Sequence, residues 1–126
     1  MQPCIAIVED DQAVREALRR MLDVCGYSTE VFASAEQFLS RMAPARASCL
    51  IVDIGLPGMS GLALLNRLVG EGCPIPTILI TARPTSGERE QAVATGAVSY
   101  LEKPLSDRVL LDTVREALER GPRAAS

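Results

Sequence analysis

Four short apolar runs in this chain each end in a group that can do chemistry. Residues 4–8 (CIAIV) lead into Glu9, Asp10 and Asp11. Residues 49–52 (CLIV) lead into Asp53 and a loop containing Gly55, Pro57, Gly58 and Gly61. Residues 76–80 (PTILI) lead into Thr81, and residues 98–102 (VSYLE) lead into Lys103 and Pro104. Carboxylates crowded into one small site raise one another's pKa, so they stay ionised only beside positive charge. A divalent cation supplies such charge, and Lys103 offers more. The chain has no His, and its four cysteines match no zinc spacing. An oxygen-only donor set points to Mg²⁺ or Mn²⁺ rather than Zn²⁺. With a metal and a lysine available to neutralise a transferring group, Asp53 is placed to act as a covalent nucleophile in phosphoryl transfer. Glycine after the nucleophile lets backbone approach that group closely, and the Gly55 carbonyl can complete the metal's coordination.

Such groups meet only if the apolar runs are neighbouring strands of one sheet. The runs alternate with helical patterns. After the first strand, Val14, Leu18, Met21, Leu22 and Cys25 recur at helical spacing, and Gly26 is a stop. Residues 28–32 (STEVF) form a second strand. Ser34 caps a helix with Phe38, Leu39 and Met42 inward and Pro44 beyond. Ser60 precedes a helix carrying Leu62, Leu65, Leu68 and Val69. Residues 86–95 are weakly amphipathic, with Ala92 and Val93 as nearly the only apolar anchors, so this helix is expected to be marginally held. A last helix begins near Ser106, buries Leu110, Val114, Ala117 and Leu118, and stops at Gly121-Pro122.

Five strand–helix units in regular alternation predict a parallel sheet with helices on both faces and right-handed crossovers. The common doubly wound five-stranded order is 2-1-3-4-5, and ligands bind beyond the carboxyl ends of the strands at the switch point between strands 1 and 3. Those two strands carry Glu9, Asp10 and Asp53.

At 126 residues the chain is expected to be a single domain with a core that needs no staples. Residues 1–121 form that domain, and 122–126 are a tail or the start of a linker. The net charge of −3 offers no broad basic patch for direct nucleic-acid binding. No run approaches the ~18 apolar residues of a membrane span, and the N-terminus lacks signal-peptide features. A cytoplasmic location with reduced, structural cysteines follows as the expectation.

The acidic cluster in IAIVEDDQAVR, the loop in LIVDIGLPGMSG, ILITAR and GAVSYLEKP, in this order and spacing, resemble the receiver domain of bacterial two-component response regulators. The resemblance covers about residues 4–120, and the SAEQFL and EKP stretches look most like the FixJ-type branch. It implies the flavodoxin-like (CheY-like) fold. By position it implies that Asp53 is the phosphoacceptor and that Glu9, Asp10, Asp53 and the Gly55 backbone oxygen hold Mg²⁺. Asp10 is the favoured direct ligand. Glu9 stands where Asp is commoner, which favours contact through water. Thr81 matches the switch hydroxyl, Lys103 the lysine that pairs with the phosphoryl group, and the Gly55 and Ala82 backbone the phosphoryl cradle. Tyr100 matches an aromatic that turns inward with Thr81, and Lys103-Pro104 a cis peptide. Gly55 and Arg83 occupy variable positions beside the site, and Pro84 is an unusual residue in the loop that must move.

The resemblance further implies a sensor histidine kinase or phosphotransfer protein as phosphoryl donor and homodimerisation on phosphorylation. No independent enzymatic turnover is expected. Output would come through the strand 4–helix 4–strand 5–helix 5 face, from a free-standing receiver or from one joined to a helix-turn-helix DNA-binding domain. Bland readings stand beside these: Asp11 as a helix cap, Asp53 as a turn former, Tyr100 as plain core. A flavodoxin-type cofactor binder would need a phosphate loop where this chain has EDDQ. A phosphohydrolase with an aspartyl nucleophile would normally need an Asp at the position of Gly55.

Overall fold

The computed structural model describes residues 3–41 and 46–122. Five strands, β1 (Cys4–Val8), β2 (Ser28–Phe32), β3 (Cys49–Asp53), β4 (Thr77–Thr81) and β5 (Ser99–Glu102), alternate with five helices. The helices are α1 (Gln12–Val24), α2 (Ala35–Arg41), α3 (Gly61–Gly70), α4 (Glu88–Thr95) and α5 (Asp107–Arg120). All strand pairs are parallel, in the order β2-β1-β3-β4-β5. This is the expected flavodoxin-like topology, with β1 and β3 at the switch point.

β3 and β4 are buried along their whole length. With β1 they are the inner strands of a sheet covered on both faces, which explains their continuous apolar runs. Their side chains alternate between two cores. Ala6, Val8, Leu50, Val52 and Leu79 pack with Phe38, Leu64, Leu65, Leu68 and Ala92, from α2, α3 and α4. Ile5, Ile7, Ile51, Ile78 and Ile80 pack with Leu18, Leu22, Leu110, Val114 and Ala117, from α1 and α5.

The helix starts are built by side-chain caps that accept otherwise orphaned amides. Asp11 accepts from Ala13 and Val14 N–H at 2.9 and 3.2 Å. Ser60 accepts from Ala63 and Ser106 from Val109, both at 3.1 Å. Ser34 accepts from Gln37 N–H at 3.0 Å while Gln37 Oε1 accepts from Ala33 N–H at 2.9 Å. The α4 start has no such cap; Gly87 precedes it at φ 80°.

Three helix faces differ from expectation. In α3 the buried residues are Leu64, Leu65 and Leu68, while Val69 is exposed. The run GLALLNRLVG is apolar nearly all round, so spacing alone did not select its inner face. In α4 only Ala92 is buried and Val93 is exposed, which leaves that helix held even more lightly. Cys25 is the exposed C-cap of α1 rather than part of its inner face. Met42 and Pro44 lie outside the described residues. Cys49 is buried, and that burial pushes its thiol pKa up to about 12. Among the described residues, no helix is long and apolar enough to cross a membrane.

Candidate functional site

Register decides which chemical groups become neighbours. Val8 pairs with Val52, so Glu9 and Asp53 emerge side by side one residue later. Asp53 pairs with Ile80, and Thr81 with Glu102, which places Thr81 and Lys103 at the next two strand ends. The ladder continues beyond the strands: Glu9 N–H donates to Phe32 O at 3.0 Å, Ile54 N–H to Ile80 O at 2.8 Å, and Lys103 N–H to Thr81 O at 2.8 Å.

Each of Glu9, Asp10 and Asp53 offers a carboxylate oxygen to one group in which all lie within 4.8 Å of one another. Glu9 is fully buried and Asp53 is 6 % exposed, whereas Asp10 is open to solvent. Lys103 Nζ lies 2.6 Å from Glu9 Oε1 and 3.5 Å from Asp53 Oδ1. Burial pushes the Glu9 carboxyl above its ordinary pKa, and the neighbouring Asp53 adds to the rise. The Lys103 bond and the Asp11 amide offset this only in part. For Lys103, burial alone would lower the pKa, but the bonds to Glu9 and Asp53 outweigh it and the net shift is upward. One ammonium therefore serves two carboxylates. Three carboxylates within a few ångströms, all hard oxygen donors, fit a small divalent cation.

The loop after Asp53 is shaped around its backbone. At Gly61 an added Cβ would lie 2.6 Å from Asp53 O, closer than real contacts allow. At Gly55 a Cβ would lie 3.8 Å from Asp53 Oδ2, so any side chain there would border the carboxylate. On the far side of the loop, Glu36 of α2 accepts from Met59 N–H at 3.0 Å, and Gly58, at φ 74°, leaves room for that carboxylate.

Thr81 is 3 % exposed, and its Oγ1 accepts from Arg83 N–H at 3.1 Å. Ala82 follows at the exposed strand end. Lys103-Pro104 is a cis peptide, as the resemblance implied. Tyr100 stands apart from the acids. Its ring is already buried, its hydroxyl donates to Glu88 Oε1 at 2.5 Å, and Arg89 lies over the ring at 4.9 Å while donating to Tyr100 O at 3.0 Å. Tyr100, which the resemblance matched to an inward-turning aromatic, has a buried ring in this structure. Sequence reasoning did not anticipate Arg15, whose Nη1 donates to Glu9 O at 2.8 Å. Its one visible signal was a basic residue in the early turns of the helix that follows the acids.

The family model of the response regulator receiver domain matches residues 5–115. This chain belongs to that family. Over 116 residues the receiver domain is 38 % identical to the response regulator MprA of Mycobacterium tuberculosis (strain ATCC 25618 / H37Rv), covering 92 % of this chain and 50 % of the relative. It is 37 % identical to MprA of Mycobacterium avium (strain 104), covering 92 % and 51 %. The chain thus spans about half the length of these curated relatives. Among solved structures, the response regulator StyR superposes with a TM-score of 0.88 at 35 % identity, covering 95 % of this chain and 61 % of that one. FixJ-N superposes with 0.85 at 34 % identity, covering 94 % and 95 %.

Proposed function

We propose that Asp53 is the phosphoacceptor of this receiver domain and that the modification switches the face built by β4, α4, β5 and α5. The observation that carries this is the position of Asp53. It is a nearly buried carboxylate at the end of an inner strand, grouped with Glu9 and Asp10 and facing the Lys103 ammonium.

Asp53 Oδ attacks the phosphorus of a phosphohistidine on a sensor kinase or phosphotransfer protein. The new P–O bond forms as the P–N bond breaks, and the imidazole leaves with its electron pair and takes up a proton. Glu9, Asp10, Asp53 and the Gly55 carbonyl would hold Mg²⁺, which when bound neutralises phosphoryl oxygens and the crowded acids. Lys103 contributes the second positive charge and reorients from the acids toward the new phosphoryl group. The Gly55 and Ala82 backbone then lies against that group. Positioning and electrostatics supply the catalysis, as is general for phosphoryl transfer.

The readout runs through Thr81. Its oxygen accepts from Arg83 N–H and its own hydrogen remains available to donate to the phosphoryl group, so a movement of the hydroxyl toward that group would pull on the β4–α4 loop. Tyr100, already inside, transmits the change through Glu88 and Arg89 at the start of α4. That helix is anchored by one buried residue and has a low cost of movement. In a cytoplasmic setting, the altered face would dimerise or bind the output partner, including a DNA-binding domain of a longer regulator.

Mass spectrometry after incubation with acetyl phosphate and Mg²⁺ tests the assignment. The wild-type chain should gain one phosphoryl group and Asp53→Asn should gain none. Equal labelling of the variant would reject Asp53.

A further inference from the structure

The segment Glu9–Asp11 leaves a buried strand and enters a helix within three residues. Glu9 N–H still belongs to the sheet, donating to Phe32 O, while the Asp11 side chain already caps α1. Main-chain carbonyls in such a turn need donors from elsewhere. Arg15 supplies them. Its Nη1 donates to Glu9 O at 2.8 Å and reaches toward Asp10 O at 3.5 Å, while Asp11 O is taken by the first helical bond of α1, from the Arg15 amide at 2.9 Å, which does not depend on the side chain. Among the described residues Arg15 forms no ion pair with a carboxylate. Its guanidinium is spent on backbone, not on the acids themselves.

We propose that Arg15 is a positioning residue: by stapling the Glu9 and Asp10 carbonyls to α1, it fixes the backbone from which their carboxylates reach a divalent cation. The inference rests on the reading of Glu9 and Asp10 as cation ligands. Groups that hold ligands in place without touching the metal typically contribute about 10–100-fold in affinity. Coulomb's law makes the opposite demand. A guanidinium near a cation site repels the cation, so deleting it should tighten binding if charge were its only effect. The sign of the change therefore separates positioning from simple electrostatics.

The test is a Mg²⁺ titration of the whole chain by calorimetry, for wild type, Arg15→Gln and Arg15→Lys. Thermal unfolding of each confirms the fold, and amide hydrogen exchange at Asp10 and Asp11 is followed without metal. Arg15→Gln should bind Mg²⁺ about tenfold more weakly despite losing the repulsive charge, with faster exchange at both amides. Arg15→Lys keeps the charge but not the planar fork, so its weaker binding would report geometry alone and serves if the Gln variant does not fold. Equal or tighter binding by the folded variants, with wild type binding normally, overturns the positioning role alone. No saturable binding by wild type would instead remove the cation reading, and the inference with it.

Discussion

Lys103 lies nearer to Glu9 than to Asp53, 2.6 against 3.5 Å. The lysine is thus held chiefly by the acid that follows β1, with Asp53 as its second, more distant partner. The Glu9 side chain is fully buried and that of Lys103 is 17 % exposed, so the pair is shielded from solvent. Replacing Lys103 with Met removes the only ion-pair partner Glu9 has among the described residues. An uncompensated buried polar group costs about 1–3 kcal/mol. Lys103→Met should therefore lower the free energy of unfolding in urea by that order and also slow labelling by acetyl phosphate. A variant that keeps full stability would show that the Glu9–Lys103 pair is energetically neutral.

Gly61 packs closely against the Asp53 backbone. A methyl group there would meet Asp53 O at 2.6 Å and Ile54 Cα at 3.0 Å, both backbone atoms in a packed region. Overpacking of this kind typically costs about 1–3 kcal/mol. Gly61→Ala should destabilise the domain by that order and shift Asp53, reducing the phosphorylation rate beyond what partial unfolding explains. Gly70→Ala is the control, since a Cβ there meets nothing within 4 Å.

The Tyr100 hydroxyl gives a pH signature. Burial, followed by its bond to the Glu88 carboxylate, pushes its pKa up to about 12 from 10.0. The folded state thus holds this proton more tightly than the unfolded chain does. Its contribution to stability is complete below the unfolded value of 10.0 and is lost as pH rises toward about 12. In a Tyr27→Phe background, ultraviolet titration should show one phenol ionising near the upper value. Adding Glu88→Gln should bring it down, because the carboxylate is one cause of the rise. An unchanged titration would mean that Glu88 does not hold Tyr100 in solution.

Much of this molecule follows from local rules. Four apolar runs of strand length and the mixed run STEVF, separated by helical patterns, dictated the alternation, and alternation with parallel strands left one common topology. Because β3 is an inner strand, its continuous apolar run marked it before any coordinates, and the acids at the tips of β1 and β3 then had to converge. Asp11, Ser34, Ser60 and Ser106 were legible as caps because a cap acts on amides only two or three residues away. Which face of a helix turns inward was legible only where the pattern was one-sided: α5 buried Leu110, Val114 and Ala117 as expected and Leu118 in part, while α3 did not declare its inner face.

Contacts between residues distant in space or reached by long side chains were decided by the tertiary structure. Glu36 meets Met59 across 23 positions, and Glu88 meets Tyr100 only because α4 packs beside β5. Lys103 chooses Glu9 over Asp53 by less than an ångström. Arg15 turns back to the carbonyls of the acids that precede it. The physical reason is the same in each case. Periodicity and capping are properties of a few adjacent residues, whereas a hydrogen bond between long side chains depends on distances and rotamers set by the packing of several elements at once. The sequence therefore determined that a carboxylate cluster would form at this sheet edge, and the packed structure decided how its charges are shared and held.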